Sequence, residues 1–544
     1  MKDYQVLNLG FADAVNYKKR ENKKLLNKYF VENEELIKLF NPNIYFLIGD
    51  KGTGKTAFSV YLANNEIRDT ISYISYINET EYVKFIKLKN ENHLELSDYT
   101  NIWKVLLYLL LSIQILKGET NLIERFSKYK KLHDAIKAFY NSAFSPELIH
   151  AINIIEQSKV AAELFHSIVK ASGEVQQSKS YSESTFQVNL LSLQRIFEES
   201  LSSLKLNKHH FLFIDGIDIR PRNIEFEDYL ECVKGLAQAA WDLNNNFFSN
   251  IKDSKGRIKI ILLVRPDIFS HLGLQNLNNK IRDNSVLLDW KTTYPSYKSS
   301  SIFKIADRLL SSQQEKEYDL GQCWEHYFPF KHSSKDGRKD DSFIQFLRFS
   351  TFRPRDIITM MCILQENIKA EVGRKYPFID ELDFDSASFR SQYSDYLLGE
   401  IKDYLAFYHS DSDYELFLKF FEFLRGKASF SYDDYIQAYE NYADYIENNH
   451  IDPPRFFESS DRFLQFLYDL NIISYKKITE DGERYVRWSY RERTYSNVNP
   501  KVQEGGVIYT IHYGLQKAFD TGKHFIQRRT IHKRNKRYGK KTIK

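Results

Sequence analysis

Eight consecutive residues, Gly49-Asp50-Lys51-Gly52-Thr53-Gly54-Lys55-Thr56, satisfy the spacing G-x-x-x-x-G-K-[ST]. The spacing has a physical reason. Glycines let successive backbone N–H groups turn inward around phosphate oxygens, and the N-terminus of a following helix adds its partial positive charge. A lysine ammonium then reaches the outer phosphates and a hydroxyl ligates Mg²⁺. Here the lysine is Lys55 and the hydroxyl Thr56, so the eight residues are expected to bind a nucleotide, with ATP and Mg²⁺ as cofactors. A chance match is the competing explanation, and the predicted strand before and helix after the motif argue against it.

A second set of residues fits the same chemistry. Phe211-Leu212-Phe213-Ile214-Asp215 is an apolar strand ending in a carboxylate, the arrangement that holds the Mg²⁺ of such a site through Asp215. Asp218, three positions on, is a candidate base for the attacking water or else a helix cap. Arg265 ends another predicted strand, Lys259 to Val264, where it would sense a γ-phosphate or pair at the surface with Asp267. In Phe352-Arg353-Pro354-Arg355-Asp356, proline and aspartate open a helix. Arginines at a helix start oppose the dipole, so Arg355, and less directly Arg353, are candidates to face an anion. His209 and His210 precede the Asp215 strand without metal-ligand partners and are expected to be solvated.

The elements that position these residues alternate. Strands at 44–48, 211–214, 259–264 and 286–290, separated by helical stretches, predict an α/β fold with a mainly parallel sheet covered on both faces. This P-loop core spans 41–294, after a helical lead-in at 1–40, and carries a helical insertion at about 100–185 that ends in the polar loop 170–185. Beyond Pro295 the strands stop. Helices at 301–310, 343–349 and 356–368, with an exposed loop at 331–341, make 295–410 a helical lid. From 411 to 522, three helices followed by short strands give the order of a winged helix, and 523–544 is a basic tail.

With these motifs in place the sequence resembles the bacterial P-loop ATPases of the AAA+/STAND neighbourhood, in particular a group of DNA-repair-like ATPases. The resemblance is carried by LGFADA near the start, GDKGTGKTA, FLFIDGID, LLVRPDIF, FRPRDII and the terminal winged-helix-like segment. It implies that Asp215 binds Mg²⁺, that Asp218 is the catalytic acid, that Arg265 is the first sensor and that Arg355 is the second. Ile219 stands where related NACHT-type proteins often carry another acid, which bears on the rate of turnover. A place in DNA repair or antiphage defence is a further implication.

Composition narrows the partners. The chain has 544 residues, 42% hydrophobic and 27% charged, with 21 Gly and 11 Pro, which excludes a single small module and bulk disorder. Cys232, Cys323 and Cys362 make neither a disulfide framework nor a zinc knuckle, and a reducing cytoplasm is expected. The most apolar run, 105–116, is too short to span a bilayer and is read as a buried helix, and the N-terminus lacks the pattern of a signal peptide, so no membrane partner is expected. There are 77 basic and 72 acidic residues, a formal charge of +5. The tail 523–544 holds ten Lys and Arg and no acid; without it the balance is 67 to 72, or −5. Nucleic acid is therefore expected at that end, through the tail and the winged helix, where Lys476, Lys477, Arg484, Arg487, Arg491 and Arg493 are further candidates. The alternative is a solvated tail beside a winged helix that binds an effector protein, and a homo-oligomer also stays open. The expected function is an ATP-hydrolysing switch engaging nucleic acid; the rival is an ATP-gated scaffold with little turnover, and a small-molecule kinase is weaker because no segment suggests an acceptor pocket.

Overall fold

A computed structural model of the chain describes residues 1–77, 96–118, 128–141, 183–221, 224–273, 277–333, 339–371, 373–374, 376–478 and 484–522. They form two units. One contains Asp13–Asp289 and Thr494–Val498; the other contains Met1–Ala12, Trp290–Arg493 and the described residues from Asn499 on.

In the Asp13–Asp289 unit, five strands form one all-parallel sheet: β1 Phe46–Ile48, β2 Thr70–Tyr76, β3 His209–Asp215, β4 Ile258–Val264 and β5 Ser285–Leu287. The α/β class and parallel sheet of the sequence analysis are observed. β1 and, apart from Lys259 near its start, β4 are apolar, and both are buried throughout, as central strands covered on both faces must be. The spatial order is β2-β3-β4-β1-β5. From β1 the chain crosses to β2 on one side, and from β4 it crosses to β5 on the other. The crevice between β1 and β4 is therefore the topological switch point, where open α/β sheets bind ligands at the carboxyl ends of their strands.

β2 has no counterpart among the strands expected from the sequence. Its run Thr-Ile-Ser-Tyr-Ile-Ser-Tyr is too polar to read as a buried strand, yet Ser72 and Ser75 are buried where β2 pairs with β3. Of the expected insertion, the helices Leu96–Gly118 and Lys130–Asn141 are described, while 119–127 and 142–182, including most of the polar loop, lie outside the described residues; the helix Glu183–Ser202 follows. Leu96–Gly118 contains the apolar run. Among the described residues one helical stretch, Tyr99–Gly118, is long and apolar enough to cross a membrane, and it is mostly buried inside the protein. The lead-in expected to be helical is helical only in short pieces. Asp3 and Asp13 accept backbone N–H bonds that close short turns at Tyr4–Val6 and Ala14–Lys18, and only Lys23–Tyr29 and Glu34–Lys38 are α-helical.

The other unit is mostly helical up to about residue 408, with Ser301–Ser311, Ser342–Phe349, Pro354–Ala370 and Ala387–Tyr408 as its main helices. The segment 331–341, expected as a loop, instead carries an antiparallel pair, β6 Lys331–Ser333 and β7 Lys339–Asp341. Backbone pairing makes these strands, which their polar side chains do not advertise. After the helices Asp411–Phe423, Tyr432–Asn448 and Ser460–Asp469 come most strands of a four-stranded antiparallel sheet: β8 Ser429–Ser431, β9 Ile473–Ile478, β10 Arg484–Arg487 and β11 Ile508–Ile511, in the order β10-β9-β11-β8. Residues on both sides of the expected 410/411 boundary belong to this one unit. His512 Nε2 lies 3.2 Å from the Ser350 carbonyl, and the Ala518 N–H donates to Ser394 Oγ at 2.8 Å.

Candidate functional site

The site grows out of β1. Immediately after that strand, the Gly49 N–H donates to the Val264 carbonyl at 3.1 Å, so the β1–β4 ladder continues into the loop and Arg265 stands beside its first residue. A Cβ on Gly49 would lie 2.4 Å from Thr53 Oγ1. The Asp50 carbonyl accepts from the Thr53 N–H at 3.2 Å and from Thr53 Oγ1 at 2.7 Å, closing a turn around Lys51 and Gly52. Gly52 at φ 84° and Gly54 at φ 95° take the left-handed conformation that side chains resist. Gly54 is the cap residue of the helix Lys55–Asn64 and offers no side-chain acceptor, so the first amides of that helix point into the loop.

Lys55 is only 7% exposed, and its Nζ folds back to donate to the carbonyls of Gly49 at 2.7 Å and Asp50 at 3.2 Å. Burial pushes this ammonium below its usual range, while the negative charges of Asp218 and Asp215 pull the other way. Thr56 Oγ1 donates to Asp215 Oδ2 at 2.7 Å. Asp215 is 8% exposed; burial and the neighbouring charge of Asp218 raise its pKa, opposed by Thr56, Lys55 and the Gly216 N–H, which reaches Oδ1 at 2.9 Å. Gly216 at φ 90° is fixed by space as well, since a Cβ there would sit 2.3 Å from the Ile77 carbonyl oxygen.

Asp218 lies in a turn, half-exposed, near enough for its charge to act on both Lys55 and Asp215. It caps no helix, because the next one begins at Phe226 behind Glu225. Arg265 makes the expected pair with Asp267, but inside the protein and not at its surface. It is 3% exposed, so it is no surface residue, and its charge reaches Lys55; but its guanidinium also makes a two-pronged pair with Asp267, Nε to Oδ1 at 3.0 Å and a terminal nitrogen to Oδ2. The structure thus brings together Gly49 to Thr56, Asp215, Asp218 and Arg265.

Arg353 and Arg355 belong to the other unit, each with partners there. Arg353 grips Asp356 with Nε at 3.0 Å and a terminal nitrogen at 2.7 Å, and reaches Glu400 at 3.5 Å. Asp356 is completely buried and also accepts from Thr351 and Tyr396. Burial would raise its pKa, yet the Arg353 charge and these hydrogen bonds hold it below the usual carboxylate range. Arg355 donates to the Ala12 carbonyl at 3.1 Å and lies 3.5 Å from Glu400.

Two features near the site escaped the sequence analysis. Tyr76 is the register partner of Asp215 on β2, and Lys18 Nζ lies 4.5 Å from the centre of its ring. No local pattern marks either residue, since the pairing depends on a strand that was not foreseen. His210 was expected to be solvated but is buried on β3, with Nδ1 3.1 Å from Tyr73 Oη.

Of the basic residues around β9 and β10, Lys477 is exposed and Lys476 half-buried. Arg487 pairs with Glu492 at 2.6 Å, Arg491 donates to Tyr294 Oη at 3.2 Å, and Arg493 donates to the Asp469 carbonyl at 3.1 Å. The tail 523–544 lies outside the described residues.

The donor set fits a small hard cation. A hydroxyl and a carboxylate are hard oxygen donors of the kind that would hold Mg²⁺. Thr56 Oγ1 and Asp215 Oδ2 are 2.7 Å apart. Compared with protein-family models, with curated proteins and with solved structures, the chain finds no match in any of the three.

Proposed function

We propose that the Gly49–Thr56 loop binds ATP with Mg²⁺ and that the chain hydrolyses it, as a P-loop switch of the AAA+/STAND kind that engages nucleic acid. The observation that carries this reading is the contact of Thr56 Oγ1 with Asp215 Oδ2 at 2.7 Å, beside a buried Lys55 in a loop with two left-handed glycines. Bound Mg²⁺ would supply charge neutralisation across the outer phosphates. Thr56 and Asp215 would hold it. Lys55, already short of water, would exchange its two carbonyl acceptors for phosphate oxygens and recover a fully charged environment. The loop amides and the helix start at Lys55 would orient the phosphates. Asp218 would accept the proton of the attacking water, and Arg265 would meet the γ-phosphate after loosening its grip on Asp267.

In this proposal 295–410 acts as the helical lid, the three helices and sheet of 411–522 are a winged-helix-like domain, and nucleic acid binds through that domain and the tail, in the cytoplasm. Lys476 and Lys477 on β9 support it most, because Arg491 and Arg493 are committed to internal partners. A second reading, an ATP-gated scaffold with slow turnover whose winged helix binds an effector protein, is favoured by the two-pronged Arg265–Asp267 pair, which opposes release of the arginine. Steady-state phosphate release with and without duplex DNA separates the two. Stimulation by DNA supports the nucleic-acid switch, whereas nucleotide binding with negligible release, unchanged by DNA, supports the scaffold.

A further inference from the structure

The parallel sheet has two ends, and the loop Gly49–Thr56 uses only one. At the other, where the strands begin, lies a cavity of about 520 Å³, lined by Tyr45 just before β1, Thr70 at the start of β2, His209 at the start of β3 and Ile258 at the start of β4. Its size falls within the range of small-molecule sites.

The chemistry of its wall is one-sided. Arg68, His209, Arg257 and Lys259 line it, and among the described residues no aspartate or glutamate does. Phe40, Leu204, Phe211 and Phe248 supply an apolar, partly aromatic wall between them. Arg68 sits with its guanidinium carbon 5.3 Å from the centre of the Phe40 ring, so one cation already lies against an aromatic face. His209 Nδ1 accepts the Arg257 N–H at 3.0 Å, which in the neutral ring leaves the proton on Nε2 as a donor.

Lys259 is the most constrained of the four. It is 3% exposed, its Nζ donates to the carbonyls of Leu39 and Asn41, and the ammonium lies 4.1 Å from the centre of the Phe211 ring. These partners are dipoles and a π face, with no carboxylate among them. Burial alone pushes its pKa down to about 7. A buried cation without a counter-charge is costly, and an anion placed in the cavity would relieve that cost while its apolar part covered the aromatic wall.

We propose that this cavity is a binding site for a small organic anion with a flat apolar body, separate from the glycine-rich loop and at the opposite end of the same sheet. It does not depend on what the loop binds. The anionic head would sit among Arg257, His209 and Lys259, and the body against Phe40, Phe211 and Phe248.

The test uses the full chain and two fluorescent probes of nearly the same shape: 8-anilinonaphthalene-1-sulfonate, which carries an anionic head, and N-phenyl-1-naphthylamine, which does not. The sulfonate should bind saturably, and about tenfold or more tighter than the amine, a difference that one good ionic contact supplies. Arg257→Glu should weaken the sulfonate about tenfold and leave the amine within about twofold. Ser249→Trp, which fills the cavity from a lining position, should weaken both. Lys24→Glu makes the same charge change on an exposed residue outside the cavity and should leave both unchanged. So should Lys55→Ala, which excludes binding in the loop. Arg68→Glu is the second charge variant should Arg257→Glu fail to fold. Equal affinity for the two probes, no saturable binding, or the same loss in Lys24→Glu as in Arg257→Glu would overturn the proposal.

Discussion

Thr56 and Asp215 stand 159 positions apart in the chain, yet the Thr56 hydroxyl donates to the Asp215 carboxylate at 2.7 Å. The contact exists because β4 inserts between β1 and β3, so the helix leaving β1 and the end of β3 converge on the edge of the sheet beside Arg265. A hydroxyl, a carboxylate and an ammonium are thereby gathered at the switch point from two separate stretches of sequence.

The two carboxylates should separate by role. Asp215→Asn removes a ligand oxygen and should weaken Mg²⁺-dependent ATP binding itself. Asp218→Asn should leave binding nearly intact and slow hydrolysis by about 10² to 10⁴, the range for loss of a positioned base. Parallel calorimetry and phosphate release decide it; a parent rate in Asp218→Asn removes Asp218 from the mechanism.

Arg353 and Arg355 should also part company. Arg353→Ala leaves the fully buried Asp356 without its cation and should cost about 3 to 5 kcal/mol in urea unfolding, the range for breaking a buried pair. Arg355→Ala, whose Glu400 contact is long at 3.5 Å, should change stability by no more than about 1 kcal/mol. If Arg355 senses the γ-phosphate, its alanine variant should lose ATP affinity more than ADP affinity. Equal losses would leave it a structural residue.

Acid should destabilise both units through their buried histidines. Burial lowers His210 in one unit and His512 in the other from 6.5 to about 4. Between those values the unfolded chain binds more protons than the folded one, so stability is retained above about pH 6.5 and lost as pH falls toward 4. Each histidine contributes a loss on the order of 3 kcal/mol at most. Urea unfolding of His210→Gln and His512→Gln across that window should give a shallower pH dependence than the parent; parallel curves would show that other groups carry it.

Nucleic-acid binding should depend on salt. If tail and winged helix neutralise about five phosphates, the log–log slope on duplex DNA should be roughly −4.5, and deleting 523–544 should flatten it. Absence of binding by either form at low salt would turn the account toward a protein partner.

Much of the site was legible because its signals are local. Gly49 to Thr56 and the strand ending in Asp215 can be read from a few residues each, since backbone approach and metal ligation restrict residue type at fixed spacing. What sequence did not disclose depends on long-range pairing. β2 was missed because Ser72 and Ser75 are polar, and their burial follows from pairing with β3. With β2 went Tyr76 and the environment of His210. Arg265 could be placed at a strand end, but whether it lay at the surface or inside was a tertiary matter; it is buried and paired at once. The cavity at the opposite end of the sheet assembles residues from 40 to 259 and has no sequence signature.

The most direct measurement is calorimetric titration of Mg²⁺-ATP into the full chain and into Lys55→Ala, with circular dichroism to confirm that both fold. The account predicts saturable binding by the parent and its loss, by at least about tenfold, in the variant, because Lys55 supplies the charge-assisted contacts to the outer phosphates. Equal affinity in the two proteins, or no binding by the parent, would contradict it.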